Sequence, residues 1–412
     1  MPEKRNFLIE ALRANDKKTN YFQASTSVIS YKTGFPVLDY YLGYVVNVYN
    51  KNNEIEETYP SIGLTAGCYV TFIGKPSTGK TTAAVQIASN IVRDFDNGSV
   101  IHYDLEQAQN YSRIRVLSKF SMTDIEKGKY ILKQEQNSIS DIKAAIIQIY
   151  KEKKSNPELY KYKTGKKNEF GEEVELYEPT VVIIDSIPML SSHINENDKK
   201  DAAKLEEISS QTERMRLTAE IGRFYTELTP YIKEANITII SINQIKVNPG
   251  MGVVKSPSEI LYLKQDEALP GGKSPQFLAN VLIKFISIGS EKYNEDEHGF
   301  GGFGVHLDII KSRTNQAGLS VPLIYDKVRG LDSLRSSVNY AKELGLLSGN
   351  KNGYYFLDNK EHKFTLKNMH EDFKNDRELY KILYGQIIPV LESRLSTITP
   401  EEMYTPEEEM NY

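Results

Sequence analysis

The stretch GKPSTGKTT, residues 74–82, limits what this chain can fold into more than any other. It follows the apolar run GCYVTFI and precedes the helix-forming run AAVQIASNIV. It fits the pattern G-x-x-x-x-G-K-[ST] without departure, in the strand-then-helix setting that the pattern requires. Gly74 and Gly79 let the backbone wrap closely. The loop through Lys75, Pro76, Ser77 and Thr78 to Lys80, Thr81 and Thr82 is then a phosphate cradle, with backbone N–H groups and a helix N-terminus aimed at the β-phosphate. Lys80 reaches the β- and γ-phosphates, and the Thr81 hydroxyl ligates Mg²⁺. The expected cofactors are ATP and Mg²⁺.

Strands and helices alternate after the loop. SVIHYDLE (99–106), the β-branched TVVIIDS (180–186) and ITIISINQ (237–244) read as buried strands. Helices are expected over Lys80 to about Phe95, over 141–154 and over 205–235. Such alternation predicts an α/β fold with a mostly parallel sheet flanked by helices. FPVLDYYLGY (35–44) reads as a short helix closing on that core. Residues 155–178 are charged, with 166–178 an exposed loop or hairpin. From 245 to 272 there is no sustained period, and loops of that length are usually functional or disordered. Two more strands follow, at 280–288 and 304–312, and then a small helical cap over 336–357. The expected division is an N-terminal arm (1–30, for oligomerisation), a core (31–330), a small helical C-terminal region (331–398) and an acidic, disordered tail (399–412).

Composition excludes several classes. A net charge of −4 over 412 residues excludes a globally basic nucleic-acid binder, so contact with DNA or RNA must come from a local patch. The single cysteine, Cys68, excludes an intramolecular disulfide and fits a reducing cytoplasm. The charged start MPEKRNFLIEALRANDKK has no apolar segment of signal-peptide type. No apolar run approaches the roughly 20 residues needed to span a bilayer, so no membrane partner is expected.

Carboxylates and amides close the strands. Asp185 ends VVIIDS, where a Walker B carboxylate must be to reach the metal shell. Glu106 ends YDLE, where it either orients the attacking water or is a surface residue entering a loop. Asn243 and Gln244 end SINQ, where an amide either senses the γ-phosphate or is a polar strand terminus. If the sheet is parallel, all of these converge at its carboxyl edge with the glycine-rich loop.

In their order and spacing, GKPSTGKTT, HYDLEQAQ, VVIIDSIPML, ITIISINQIK, LPGGKSPQFLANVLIKFI and LDIIKSRTNQAGLSVPLIYD resemble the RecA family, and most of all its bacteriophage UvsX type. The resemblance covers about residues 30–355 and implies a RecA-like P-loop ATPase core. It implies Glu106 as catalytic carboxylate, Asp185 as a metal-positioning residue, and Gln244 as the coupler to DNA-binding loop 2 at about 246–273. Lys246, Lys255, Lys264, Gly271, Gly272 and Lys273 would contact DNA from loop 2. Arg214 and Arg216 would do so from loop 1, at about 191–216. Lys311 and Arg313 match cations that the family inserts into a neighbouring protomer's ATP site. Without the resemblance, IIKSRT reads as a solvated basic strand end. Tyr111 matches the family's base-contacting region, although QAQNYSR departs from its pattern.

The implied activity is DNA-dependent ATP hydrolysis coupled to strand exchange, by a helical filament on single-stranded DNA that pairs with homologous duplex. Single-strand-binding and mediator proteins are the implied further partners. The implied location is the cytoplasm, of a host cell if the chain is viral. Two alternatives remain. A hexameric replicative helicase shares this core, but about 60 residues before the first core strand leave little room for its N-terminal domain. An ATP-binding mediator or structural paralogue would assemble without exchanging strands.

Overall fold

The computed structural model describes residues 28–52, 54–135, 138–191, 209–247, 262–264, 267–271, 274–350 and 353–395. Its centre is a sheet of nine strands. In chain order these are β1 (Tyr69–Gly74), β2 (Ser99–Asp104), β3 (Tyr130–Lys133), β4 (Thr180–Asp185), β5 (Ile237–Gln244), β6 (Val281–Tyr293), β7 (Gly302–Ser312), β8 (Leu319–Asp326) and β9 (Gly330–Leu331). The order across the sheet is β9-β8-β7-β6-β1-β5-β4-β2-β3. From β6 to β3 every pairing is parallel, while β7, β8 and β9 extend the sheet antiparallel. The mostly parallel sheet expected from the alternation is the one observed.

Why the central strands are mostly apolar follows from what covers them. Along β4, Val181 and Ile183 belong to one core cluster, and Val182 and Ile184 to another. Successive side chains point to opposite faces, so both faces must be covered. One face packs on α2 (Lys80–Val92), whose Ala83, Ala84 and Ala88 let it approach closely. The other packs on α4 (Ile139–Ser155) and α5 (Ser209–Glu234) through Ile142, Ile146, Ile221, Phe224 and Leu228. A capping box starts α4: the Ser138 hydroxyl accepts from Asp141 N while the Asp141 carboxylate accepts from Ser138 N.

The expected short helix is present as α1 (Pro36–Leu42), almost wholly buried. The 155–178 segment forms a hairpin, Lys161–Lys167 with Glu173–Tyr177. It docks on an unforeseen hairpin, Tyr44–Tyr49 with Ile55–Ser61. There Tyr59 donates to the Lys167 carbonyl at 2.6 Å, and Tyr49 N to the Glu169 carbonyl at 3.0 Å. Two of its lysines meet acids, Lys163 with Glu173 and Lys167 with Glu56, and two lie over rings, Lys161 over Tyr177 and Lys166 over Tyr59.

One expectation needs correction. The C-terminal region is not simply helical: α6 (Ser333–Glu343), α7 (Met369–Asn375) and α8 (Glu378–Glu392) accompany a three-stranded antiparallel sheet, Leu347–Asn350, Gly353–Phe356 and Asn359–Phe364. GYYF carries aromatic residues suited to a strand, and Phe356 and Phe364 are buried on one face of that sheet. Most of the proposed arm and the whole acidic tail lie outside the described residues. Among the described residues no helix is long and apolar enough to cross a membrane.

Candidate nucleotide-binding site

The β1–α2 turn builds the cradle. A Cβ on Gly74 would lie 2.7 Å from the Phe285 carbonyl oxygen, and Gly79 sits at φ +89°, so both positions need glycine. Lys80 opens α2 and is 6% exposed. Its Nζ donates to the carbonyls of Lys75 at 2.6 Å and Gly74 at 3.1 Å. Burial pushes the Lys80 amine down to about 8, while Asp185 and Glu106 pull the other way. An anion in the cradle would favour the charged form.

The parallel register brings the strand ends together. Asp185 stands opposite Asp104 on β2, and Gln244 opposite Gly74 on β1. The Thr81 hydroxyl donates to Asp185 Oδ2 at 2.7 Å. A hydroxyl and a carboxylate are hard oxygen donors, the kind that magnesium takes, so the residues present fit that ion. Glu106 Oε1 accepts from Gln244 Nε2 at 2.8 Å and from Ser186 Oγ at 2.7 Å. Lys80, Thr81, Glu106, Asp185 and Gln244 therefore meet at one edge.

Three residues at this edge were not foreseen. Ser186 holds the Glu106 carboxylate. Asp104, fully buried, accepts from Ala108 N at 3.2 Å, Gln109 N at 2.8 Å and Gln134 Nε2 at 2.8 Å, which shapes the turn carrying Glu106. Tyr325 stacks on Phe303 and lies 3.2 Å from where a Gly79 Cβ would be, an aromatic wall beside the cradle. The signal for Asp104 was present in YDLEQ but was spent on Glu106. Tyr111, 42% exposed, opens α3 (Tyr111–Ser118), where Asn110 caps the helix.

The expected DNA-binding residues are placed only in part. Lys246 is exposed and lies in a short strand, Lys246–Val247, that pairs with Glu267–Ala268. Lys264 is exposed, and its backbone N–H donates to Glu267. Glu267 is also 3.7 Å from Lys284 on β6. Asn243 Nδ2 donates to the Pro270 carbonyl at 2.8 Å, so the residue beside Gln244 ties down the far end of the loop. Gly271, at φ +83°, turns tightly against Ile187, which a Cβ would meet at 2.7 Å. Arg216 is exposed and its Nε is 3.2 Å from Glu220. Lys255, Gly272, Lys273 and the Arg214 side chain lie outside the described residues, as does most of the proposed loop 1.

Lys311 and Arg313 are elsewhere. Because β7 runs antiparallel to β6, its end lies toward the start of β1: Leu282 pairs with both Lys311 and Thr71. That is three residues, about 10 Å, short of Gly74 and two strands, roughly 10 Å, to the side. Lys311 Nζ donates to the Phe277 carbonyl at 2.5 Å, and Arg313 is exposed. Burial, with Arg313 adding to it, lowers the Lys311 pKa.

Residues 60–258, just under half of the chain, match the family model described as the DnaB-like helicase C-terminal domain. The cradle, Glu106, Asp185 and Gln244 all fall within that span, whereas Lys311 and Arg313 fall beyond it. The core is a mostly parallel sheet flanked by helices, with the cradle after its first strand. A crystal structure of the RadB recombinase is similar, at 16% identity over 66% of this chain and 92% of that chain, with a TM-score of 0.39. No curated protein matches the chain.

Proposed function

We propose that the chain is an ATP-dependent DNA strand-exchange recombinase that assembles on single-stranded DNA. The observation that carries this reading is the junction at the end of β5. Gln244 touches the Glu106 carboxylate, and its neighbour Asn243 holds Pro270 at the far end of the long loop. An event at the γ-phosphate can therefore reach a loop that carries Lys246 and Lys264. In this reading Lys80 and the Thr81–Asp185 pair hold Mg²⁺–ATP, whose metal ion draws charge from the transferred phosphoryl group. Glu106 orients or deprotonates the attacking water. Lys311 and Arg313 complete a neighbour's site. The order of INQ, LPGG and KSR along the chain is what favours strand exchange.

A second reading is a hexameric replicative helicase, which the DnaB-like match favours. It uses the same cradle and the same edge. ATPase activity measured with and without single-stranded DNA, beside electron microscopy and a strand-exchange assay, separates the two. A filament that exchanges strands supports the first; a ring that unwinds duplex replaces it with the second. Assembly with neither activity leaves a mediator and removes both.

A further inference from the structure

Behind the Asp185 carboxylate stands a side chain that phosphate binding alone does not call for. His102 lies in β2 opposite Ile183 of β4, and is fully buried. Its Nδ1 is 2.9 Å from the Tyr130 hydroxyl. Its Nε2 has no hydrogen-bond partner among the described residues, yet lies 3.8 Å from Asp185 Oδ2. A ligand atom from each of His102, Asp104 and Asp185 lies within 4.8 Å of the other two.

The tautomer follows from the neighbours. Burial, with Asp185 and Asp104 adding to it, raises the Tyr130 phenol well above its ordinary range, so it keeps its proton. The imidazole is the only hydrogen-bond partner of that phenol among the described residues. The phenol therefore donates to Nδ1, and Nε2–H faces the two carboxylates. That orientation offers no lone pair to a metal ion. Asp104 is already committed to Ala108, Gln109 and Gln134. The cluster is thus a donor aimed at Asp185, not a second metal centre.

Asp185 Oδ2 holds the Thr81 hydroxyl. On the reading that this hydroxyl serves magnesium, it gives the ion a lone pair and keeps its O–H on Asp185, so among the described residues the carboxylate has one donor, and a second would fix its plane. We propose that His102 is that donor: a positioning residue, fixed in its tautomer by Tyr130, which holds Asp185 in place for the metal. A closure of about 1 Å brings Nε2 into hydrogen-bond range. The proposal rests on the nucleotide-site reading above.

The test is binding of a fluorescent N-methylanthraniloyl ADP to the full chain, titrated with Mg²⁺, which needs no turnover. His102→Phe fills the space without a donor. It should raise the Mg²⁺ concentration at half-effect on the order of tenfold, with binding in the absence of Mg²⁺ nearly unchanged. His102→Gln, which keeps an N–H, should restore most of the difference. A folded His102→Phe chain with the parental Mg²⁺ midpoint overturns the proposal, as does equal weakening with and without Mg²⁺. If the parent itself shows no Mg²⁺ dependence, the nucleotide-site reading fails and takes this proposal with it. Nitrogen-15 spectra of the parental imidazoles give a check independent of how the variants fold. His102 should carry its proton on Nε2, and a proton on Nδ1 overturns the assignment.

Discussion

Lys80 and Lys153 are both buried lysines, held by backbone carbonyls. Lys80 is fixed by a motif whose spacing encodes its task. Lys80→Ala should lower ATP turnover by about 100- to 1000-fold, since it removes a preorganised cation from the phosphates; steady-state ATPase measurement with a thermal melt checks it, and near-parental turnover would contradict the cradle. Lys153 stands in KEKKS, which reads as solvated charge, yet it is 2% exposed and donates to the carbonyls of Glu178 and Ala235. Its burial depends on where α4 ends against the sheet, which no local pattern announces. Burial pushes its amine down to about 7, with Glu178 opposing. Above pH 7 the unfolded chain keeps this proton and the folded chain loses it. The burial penalty is therefore fully present below pH 7 and is relieved as pH rises. Relative to Lys153→Met, the parent should gain about 1 kcal/mol per pH unit between pH 7 and 8.5. Urea unfolding of both chains at the two pH values reads this out, and a constant difference would mean that the folded lysine stays charged.

At the scale of elements, the buried parallel strands were legible because β-branched runs such as TVVIID leave few other structures open. β3 was not: YILK is four residues long, carries a lysine and lies at the sheet's edge. β8 was not legible either, because Pro322 interrupts its pattern, and the antiparallel pairing with β7 places that proline opposite His306. The end of β5 is the element whose details matter most for coupling. Its adjacent residues point to opposite sides, so Gln244 meets Glu106 while Asn243 meets Pro270. INQ is recognisable as a motif, but this division of labour is not, because it depends on the neighbouring strands. Asn243→Ala should leave nucleotide affinity within about twofold and cost about 1 kcal/mol of stability, the worth of one hydrogen bond. Stimulation of ATPase by single-stranded DNA should fall by roughly tenfold or more, as the loop loses its tether. Full stimulation in this variant would show that coupling does not pass through Pro270.

At the scale of the molecule, the antiparallel turn of β7 divides the candidate site. Lys80 and Glu106 sit at the carboxyl edge of the parallel strands, and Lys311 and Arg313 lie away from it, toward the other edge. A single protomer cannot bring the four together without rebuilding the sheet. A head-to-tail neighbour can, because a heterologous contact sets one edge of a subunit against a different edge of the next. Developing charge on a transferred phosphoryl group needs cations placed beforehand, and here assembly would place them. Turnover should therefore rise steeply with protein concentration, or with DNA that aligns protomers. Lys311→Ala with Arg313→Ala should bind nucleotide but fail to hydrolyse it, and Glu106→Gln should fail as well. Mixed on DNA, the two variants create some interfaces that join an intact Lys80–Glu106 half to an intact Lys311–Arg313 half. With random equimolar mixing such interfaces are about one in four, so roughly a quarter of parental ATPase is the upper expectation. A mixture as inactive as either parent, with co-assembly confirmed by a labelled pull-down, would return Lys311 and Arg313 to the status of surface charges.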